Sequence, residues 1–200
     1  MNNMTPQRNY LVHPQYIIIT LVLAGVTALF LGFTGAYIYN RVQQGVAPVQ
    51  VPTLFYFNSI LIVASSITMI YAKKMYEYDD TRMFKVALWV TMILTLLFLY
   101  MQIEAWYQLK AANIGLTSST MASYMYLISG LHFAHLVAGI PFLGYFIYEA
   151  HKRMKDPVTV LVYFADVDKK RSLNILNIYW HFLDGLWIYL VAFFLINYMI

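Results

Sequence analysis

Cysteine is absent from this chain of 200 residues, and charged residues make up only 11% of it. The lack of cysteine excludes disulfides, thiolate metal sites and cysteine nucleophiles. The charged fraction is far below the roughly one quarter that is usual in soluble domains. Because hydrophobic residues reach 61%, the composition indicates a membrane protein.

Several functional signatures are also missing. The sequence contains no glycine-rich phosphate loop, nucleophile elbow or paired-carboxylate site, so we expect no active site within the chain itself. Thirteen Lys and Arg exceed nine Asp and Glu, but they form short clusters beside long apolar segments. This placement favours a role in membrane topology, and we expect no nucleic-acid partner. The amino-terminal tail lacks a signal-peptide pattern, so the first apolar segment is expected to remain as a membrane helix.

Long apolar segments are the main positive feature. A membrane-spanning helix needs about 20 mostly apolar residues to cross roughly 30 Å of hydrocarbon. Five segments qualify: 16–39, 53–72, 83–108, 120–149 and 173–199. Short polar loops join them, which predicts a single all-α membrane domain over residues 1–200 with five transmembrane helices. The short apolar run "VTVLVYF" in the fourth loop is expected to lie at the membrane surface or against a partner.

The positions of Lys and Arg predict the orientation. Eleven lie in the tail and in the second and fourth loops with their helix edges: Arg8, Lys73, Lys74, Arg82, Lys85, Lys152, Arg153, Lys155, Lys169, Lys170 and Arg171. Only Arg41 and Lys110 lie on the opposite side. Since positive residues near helix ends stay on the cytoplasmic face, the amino terminus is predicted to be cytoplasmic and the carboxyl terminus outside.

Small and polar residues indicate how the helices pack. The first predicted helix has four small residues on one face, at i, i+3, i+7 and i+10: Gly25, Ala28, Gly32 and Gly35. This face is predicted to be a packing seam, because small side chains let another helix approach closely. In the second helix, Asn58 shares a face with Ser65, and Ser59 shares one with Ser66. These side chains are expected to hydrogen-bond to a neighbouring helix or to their own carbonyls.

Polar and ionisable residues inside the predicted spans are costly, so they usually have partners or a function. They lie on three helices: Gln102 and Glu104; Ser129, His132 and His135; and Asn177, His181 and Asp184. One interpretation is a metal or haem site, since two histidines at i, i+3 can converge on one ion, with His181 and Asp184 completing the sphere. A second is a proton or ion relay through Glu104, the histidines and Asp184, although the chain lacks the repeats of secondary transporters. A third is internal polar contact that fixes helix register.

Two stretches on successive predicted helices carry the motifs of a known family. The stretch "YWHFLDGLWIYL", with Trp180, His181, Phe182, Asp184 and Trp187, resembles the last helix of subunit III of the haem-copper oxidases. The stretch "SGLHFAHLVAGIPFL" resembles the preceding helix, with the pattern on Gly130, His132, His135 and Gly139. The stretch "FNSILIVASSIT" is similar to an earlier helix of that subunit. The stretch "DDTRMFKVALWVTMILTLLFLYMQIEAWYQL" resembles the helix after it, with Gln102 and Trp106 near its end. The resemblance runs from about residue 16 to the end and is to the short bacterial form with five helices.

The resemblance implies an accessory subunit without its own cofactors in a bacterial aerobic cytochrome c oxidase. Haems and copper are then expected in partner subunits, with subunit I as the main contact, subunit II in the same complex, and small subunits or a supercomplex as further partners. It also implies bound phospholipid, support for sustained proton uptake, and a multi-pass location in the bacterial cytoplasmic membrane. The alternatives are subunit III of a quinol oxidase and, in another class, a stand-alone proton-coupled carrier.

Within the resemblance, His181 and Asp184 are expected to form an internal polar clasp that reaches toward the histidines of the preceding helix. Two departures limit what is carried over. The longer form has two additional helices, so its lipid-holding cleft cannot be built by this chain alone. The family often has an acidic residue in the equivalent of the first helix, where this chain has Gly25 at or beside that position; Glu104 lies about one residue from where some relatives have a glutamate.

Overall fold

A computed structural model describes residues 13–200, and this part of the chain is helical without strands. Its helices are α1 (Pro14–Gln44), α2 (Thr53–Glu77), α3 (Thr81–Ala111), α4 (Thr120–Arg153), α5 (Pro157–Ala165) and α6 (Val167–Met199). All except α5 are long and apolar enough to cross a membrane. The predicted all-α fold with five long apolar helices is confirmed, and the helices extend beyond the predicted bounds. The tail with Arg8 lies outside the described residues.

Local sequence signals explain where several helices begin and end. The Asp80 side chain accepts a hydrogen bond from the Met83 amide at 2.9 Å at the start of α3. Ser119 caps α4 in the same way, through the Ala122 amide at 3.1 Å. Both contacts satisfy a backbone donor that the first helical turn leaves free. Gly45 ends α1 in the left-handed conformation, at φ 60°, where a residue without a β-carbon is not strained.

Four helices surround the main core. Helices α2 and α3 form an antiparallel hairpin, α4 packs on α3, and α6 packs against both α2 and α4. Helix α1 packs mainly on α4 and α6 at the edge of this bundle. The largest fully buried side chains are Trp180 and Trp187 of α6, and Phe98 of α3 meets the Trp187 ring edge-on at 5.0 Å. The bundle is thus centred on the middle of α6.

The small residues of α1 do not form the predicted seam within this chain. Gly25, Ala28, Gly32 and Gly35 are all exposed, and a β-carbon added at any of these three glycines would meet no atom within 4 Å. The packed face of α1 consists of Val26, Phe30, Thr34 and Tyr37. The prediction is wrong for the chain's own helices because the two aromatic rings on the other face bury far more surface.

Gly139 is the glycine that permits close helix packing. A β-carbon at this position of α4 would lie 3.0 Å from Tyr179 Cε1 and 3.2 Å from Trp180 Cζ3. Gly130, the other glycine of the same motif, has no neighbouring atom within 4 Å of a built β-carbon. The close approach of α4 to α6 therefore depends on Gly139.

The run "VTVLVYF" forms most of α5, which lies across the ends of α2 and α3. The Tyr76 hydroxyl donates a hydrogen bond to the Tyr163 carbonyl at 2.9 Å, and the Phe164 ring lies 5.1 Å from that of Tyr76. Burial raises the pKa of the Tyr163 phenol, and the nearby Glu149 carboxylate raises it further. The opposite face of α5 is apolar and open: Val158, Leu161 and Val162 are 66–72% exposed.

Candidate functional site: the polar core of the bundle

The polar residues inside the spanning helices connect one helix to the next. Asn58 of α2 donates a hydrogen bond from Nδ2 to Gln102 Oε1 of α3 at 2.9 Å, and both side chains are fully buried. Trp106 Nε1, one turn further along α3, donates to Ser129 Oγ of α4 at 3.1 Å. Because each bond lies between two helices, these contacts fix the rotation of α3 relative to its neighbours.

The polar stripe of α6 faces α2. Asn177 Nδ2 donates to the Met69 carbonyl at 3.1 Å. Trp180 Nε1 donates to Ser65 Oγ at 3.1 Å. Asn177 and Trp180 therefore form successive hydrogen bonds along the contact between α2 and α6.

His181 continues this row, with Nδ1 lying 2.6 Å from Ser66 Oγ of α2. These side chains were expected to bond either to a neighbouring helix or to their own carbonyls, and Ser65 and Ser66 bond to a neighbouring helix. Ser59 bonds instead to its own Phe55 carbonyl at 2.9 Å. The two serines that face α6 thus differ from Ser59, which serves only its own helix.

The histidines of α4 point in different directions. His132 lies with Nε2 at 3.1 Å from the Leu183 carbonyl of α6, and its ring is 5.0 Å from that of Trp187. His135 bonds through Nδ1 to its own Leu131 carbonyl at 2.7 Å and faces the Phe30 ring of α1. Helices α4 and α6 are thus connected by the contact of His132 with a backbone carbonyl and by the packing of its ring against Trp187.

The prediction that His181 and Asp184 of α6 reach the histidines of α4 is wrong. His181 reaches Ser66 of α2, and neither carboxylate oxygen of Asp184 makes a hydrogen bond. The physical reason is the rotation of α6, which turns its stripe toward the small serine side chains of α2. On the α4 side, His132 packs against the bulky Trp187 ring.

Asp184 lies at the centre of the bundle and is only 4% exposed. It borders a narrow packing gap without room for a water molecule, whose walls come from α2, α3 and α4, with Ser65 and Thr95 as the other polar groups. No side chain or backbone group among the described residues makes a hydrogen bond to this carboxyl. A carboxyl in such a place has little polar compensation.

The ligand sets proposed from the sequence are not brought together. Among residues 13–200, no group of three His, Asp or Glu side chains is arranged to hold a metal ion. Glu104 is half-buried near the other end of α3 and forms none of the ion pairs in the described range. The residues of the predicted relay therefore do not form a continuous row.

A groove between α1 and α6 is a feature that the sequence did not reveal. It has a volume of about 350 Å³ and is lined mostly by apolar groups, with His181 and Phe182 among its walls. The Tyr189 hydroxyl lies on the same wall and bonds to Thr34 Oγ1 of α1 at 2.9 Å. No sequence pattern could identify this groove, because it forms only when two helices about 150 residues apart meet.

A second missed site is a buried ion pair where α4 meets the start of α6. Glu149, which is 3% exposed, contacts Lys169 Nζ at 2.5 Å and Arg153 Nε at 3.2 Å. Lys169 also bonds to the Tyr145 hydroxyl at 3.2 Å. The sequence contained one indication of this ion pair: Glu149 is the single acidic residue of the segment "YFIYEAHKR" and lies one helical turn before Arg153.

Comparisons with known proteins show which family the chain resembles. The family model described as cytochrome c oxidase subunit III matches residues 31–199. The chain is similar to "Cytochrome c oxidase subunit 3" of Alkalihalophilus pseudofirmus, with 25% identity over 84% of this chain and 79% of that protein. It is also similar to the protein of the same name from Thermostichus vulcanus, with 25% identity over 89% and 86%.

A relative with a different description also matches. It is "Cytochrome bo(3) ubiquinol oxidase subunit 3" of Buchnera aphidicola, with 23% identity over 68% of this chain and 69% of that protein. The family match includes both motif helices and extends over most of the described bundle. The chain therefore belongs to the cytochrome c oxidase subunit III family.

Proposed function

We propose that the chain is the accessory, cofactor-free subunit III of a bacterial aerobic cytochrome c oxidase. The match to the family model over residues 31–199 is the observation that carries this proposal. Relatives described as subunit 3 of cytochrome c oxidase, from several bacteria, support cytochrome c as the electron donor of the complex. Haems and copper would then be held by partner subunits.

The bundle supports a structural role beside a catalytic subunit. Its polar groups are used mainly in contacts between its own helices, such as Asn58 with Gln102 and Trp180 with Ser65. Its outer surface carries many large apolar side chains, which suit contact with lipid or with another membrane subunit. We propose that subunit I is the main contact of this chain and that phospholipid lies at the boundary between the two. The chain then supports sustained proton uptake by the complex.

The proposal includes topology and location. Residues 1–200 form a single five-span domain in the bacterial cytoplasmic membrane, with the amino terminus in the cytoplasm and the carboxyl terminus outside. The distribution of positive residues supports this orientation. The buried pair of Glu149 with Lys169 then lies at the cytoplasmic end of the bundle.

Subunit III of a quinol oxidase is the second candidate, and the similarity to two ubiquinol oxidase subunits supports it. The test is affinity purification of the full-length chain in mild detergent, followed by identification of partners and a visible spectrum. A co-purifying haem-bearing catalytic subunit with a copper-containing subunit II indicates cytochrome c oxidase. A subunit II without the copper domain indicates quinol oxidase, and purification without any haem protein contradicts both.

A further inference from the structure

The short helix α5 has an apolar face that the described part of the chain leaves open. Its members are spaced at i, i+3, i+4 and i+7, which places them on one side of the helix: Val158, Leu161, Val162 and Ala165. The first three are 72%, 67% and 66% exposed. The opposite side carries Tyr163, which is only 3% exposed. Helix α5 thus has two apolar sides, and the bundle uses one of them.

The contacts of α5 place it near the end of the hydrocarbon layer. Its Phe164 ring lies 5.1 Å from the ring of Tyr76 in α2 and 6.3 Å from that of Phe84 in α3. Tyr76 is three residues beyond Lys73, and Phe84 is next to Lys85. Since lysines at the ends of apolar spans extend toward the headgroups, they mark the boundary of the hydrocarbon. Helix α5 therefore lies at the level of the lipid headgroups.

Exposed positive charges flank the open face along the chain. Lys152 and Lys155 come directly before α5; both are exposed, and neither forms an ion pair within residues 13–200. Lys170, which follows α5, is also exposed. The buried acid of α4, Glu149, is already paired with Lys169. The surroundings of the open face are thus complementary to an anionic surface.

We propose that α5 is an interfacial helix that binds anionic phospholipid. Val158, Leu161 and Val162 lie where the headgroups meet the acyl chains, and Lys152 and Lys155 bind the phosphate groups. Apolar burial and attraction to anionic lipid act together in such a helix. With the topology proposed above, this membrane surface is the cytoplasmic one.

Two observations favour a lipid surface over a protein as the occupant. The open face consists of four small or medium-sized aliphatic residues, whereas a stable protein interface buries about 20–30 residues on each side. The neighbouring Tyr145 and Tyr148 of α4 are 52% and 60% exposed, and Lys152 Nζ lies 5.5 Å from the centre of the Tyr148 ring. Exposed tyrosines beside a lysine are typical of the headgroup layer.

Fluorescence quenching in lipid nanodiscs tests the proposal on the full-length chain, which has no native cysteine. A fluorophore on Leu161→Cys is exposed to phospholipids that carry a nitroxide near the headgroup. We expect phosphatidylglycerol to quench it about twofold more strongly than phosphatidylcholine, because of the two lysines. A fluorophore on Thr117→Cys, in an exposed loop between α3 and α4, should be quenched much less. Equal quenching at the two positions would overturn the proposal.

A charge variant tests the preference for anionic lipid. The double change Lys152→Gln with Lys155→Gln, in the Leu161→Cys background, should bring the ratio of the two quenching values to about one. Lys110→Gln is the matched control, because Lys110 is exposed near the other end of the bundle. It should leave the ratio unchanged. An unchanged ratio in the double variant would contradict phosphate binding by these lysines.

A third measurement uses the wild-type chain in its purified complex and needs no variant. A photoreactive phospholipid in the nanodisc labels whatever protein surface it touches, and peptide mapping locates the label. We expect label on residues 157–165. Label on the spanning helices but not on α5 would show that protein or water covers this face, and would overturn the proposal. The quenching experiments require no partner subunit, so they remain valid if the chain proves not to belong to an oxidase complex.

Discussion

Gly139 of α4 lies so close to Tyr179 of α6 that a β-carbon on the glycine would be 3.0 Å from Cε1 of the ring. Tyr179 is fixed by its own hydrogen bond, from its hydroxyl to the His135 carbonyl at 2.8 Å. Trp180, the other neighbour, is completely buried. Neither ring can move away without losing a contact of its own, so the glycine determines how closely α4 and α6 pack.

The first prediction concerns this contact. Gly139→Ala should lower the free energy of unfolding by about 1–3 kcal/mol, because the added methyl group overpacks a rigid region. Gly130→Ala is the matched control, since a β-carbon there meets no atom within 4 Å. Unfolding of the reconstituted chain in lipid–detergent mixtures measures both. Equal stability of the two variants would contradict the packing that we describe.

The second prediction concerns the hydrogen bond between Trp180 and Ser65. Trp180→Phe and Ser65→Ala should each destabilise the chain by about 1–3 kcal/mol, because each leaves a buried polar group without its partner or removes packed atoms. The double variant should cost less than the sum of the single variants, since the shared bond can be lost only once. A double-mutant cycle measures this coupling, and strict additivity would argue against a direct bond.

The third prediction compares two ion pairs. Glu149→Gln should destabilise the chain by roughly 3 kcal/mol, because a buried acid is removed from two cations. The control is Glu77→Gln, whose 4.0 Å contact with Lys170 is exposed on both sides. That change should cost less than about 1 kcal/mol. Similar losses in both variants would show that the buried pair has no special role.

The fourth prediction uses the absence of native cysteine to test orientation. Lys155→Cys and Thr117→Cys place single thiols at exposed positions on opposite ends of the bundle. A membrane-impermeant maleimide added to intact cells should label Thr117→Cys and should label Lys155→Cys only after the membrane is opened. The reverse pattern would invert the proposed topology.

The fifth prediction concerns durability of the complex. Deletion of the chain should leave the haem spectrum intact and initial oxygen uptake substantial, because the proposed subunit performs no redox step. Activity should then decay faster over repeated turnovers, since a neighbouring proton entrance and its lipids lose their cover. Oxygen uptake followed over time at fixed pH measures this. Immediate complete loss with haems in place would indicate direct catalysis, and unchanged durability would indicate a scaffold alone.

The five long helices could be predicted because apolar length is a local property of the sequence. Contacts between helices could be predicted only in part. The serines of α2 had a clear helical spacing, and Ser65 and Ser66 do face another helix. The partner of His181 could not be predicted, because a stripe at i, i+4 and i+7 gives the face of α6 but not the helix opposite it.

The prediction of which face of α1 packs was wrong for a related reason. Small residues on one face are compatible with a close helix contact, but they do not require one within the same chain. Phe30 and Tyr37 on another face of α1 are almost completely buried and decide which side packs. The relative size of two competing faces was present in the sequence, whereas the crevice that accommodates the rings arises only from α4 and α6.

The position of α1 at the edge of the bundle has a consequence for biogenesis. A helix in lipid satisfies its backbone hydrogen bonds internally, so α1 can remain helical without neighbours. Its main packing partners are α4 and α6, which are synthesised later. The α2–α3 hairpin, in contrast, can form as soon as both of its members are inserted. Helix α1 is thus synthesised before both of its main packing partners, and its aromatic face is covered only after α4 and then α6 have entered the bilayer.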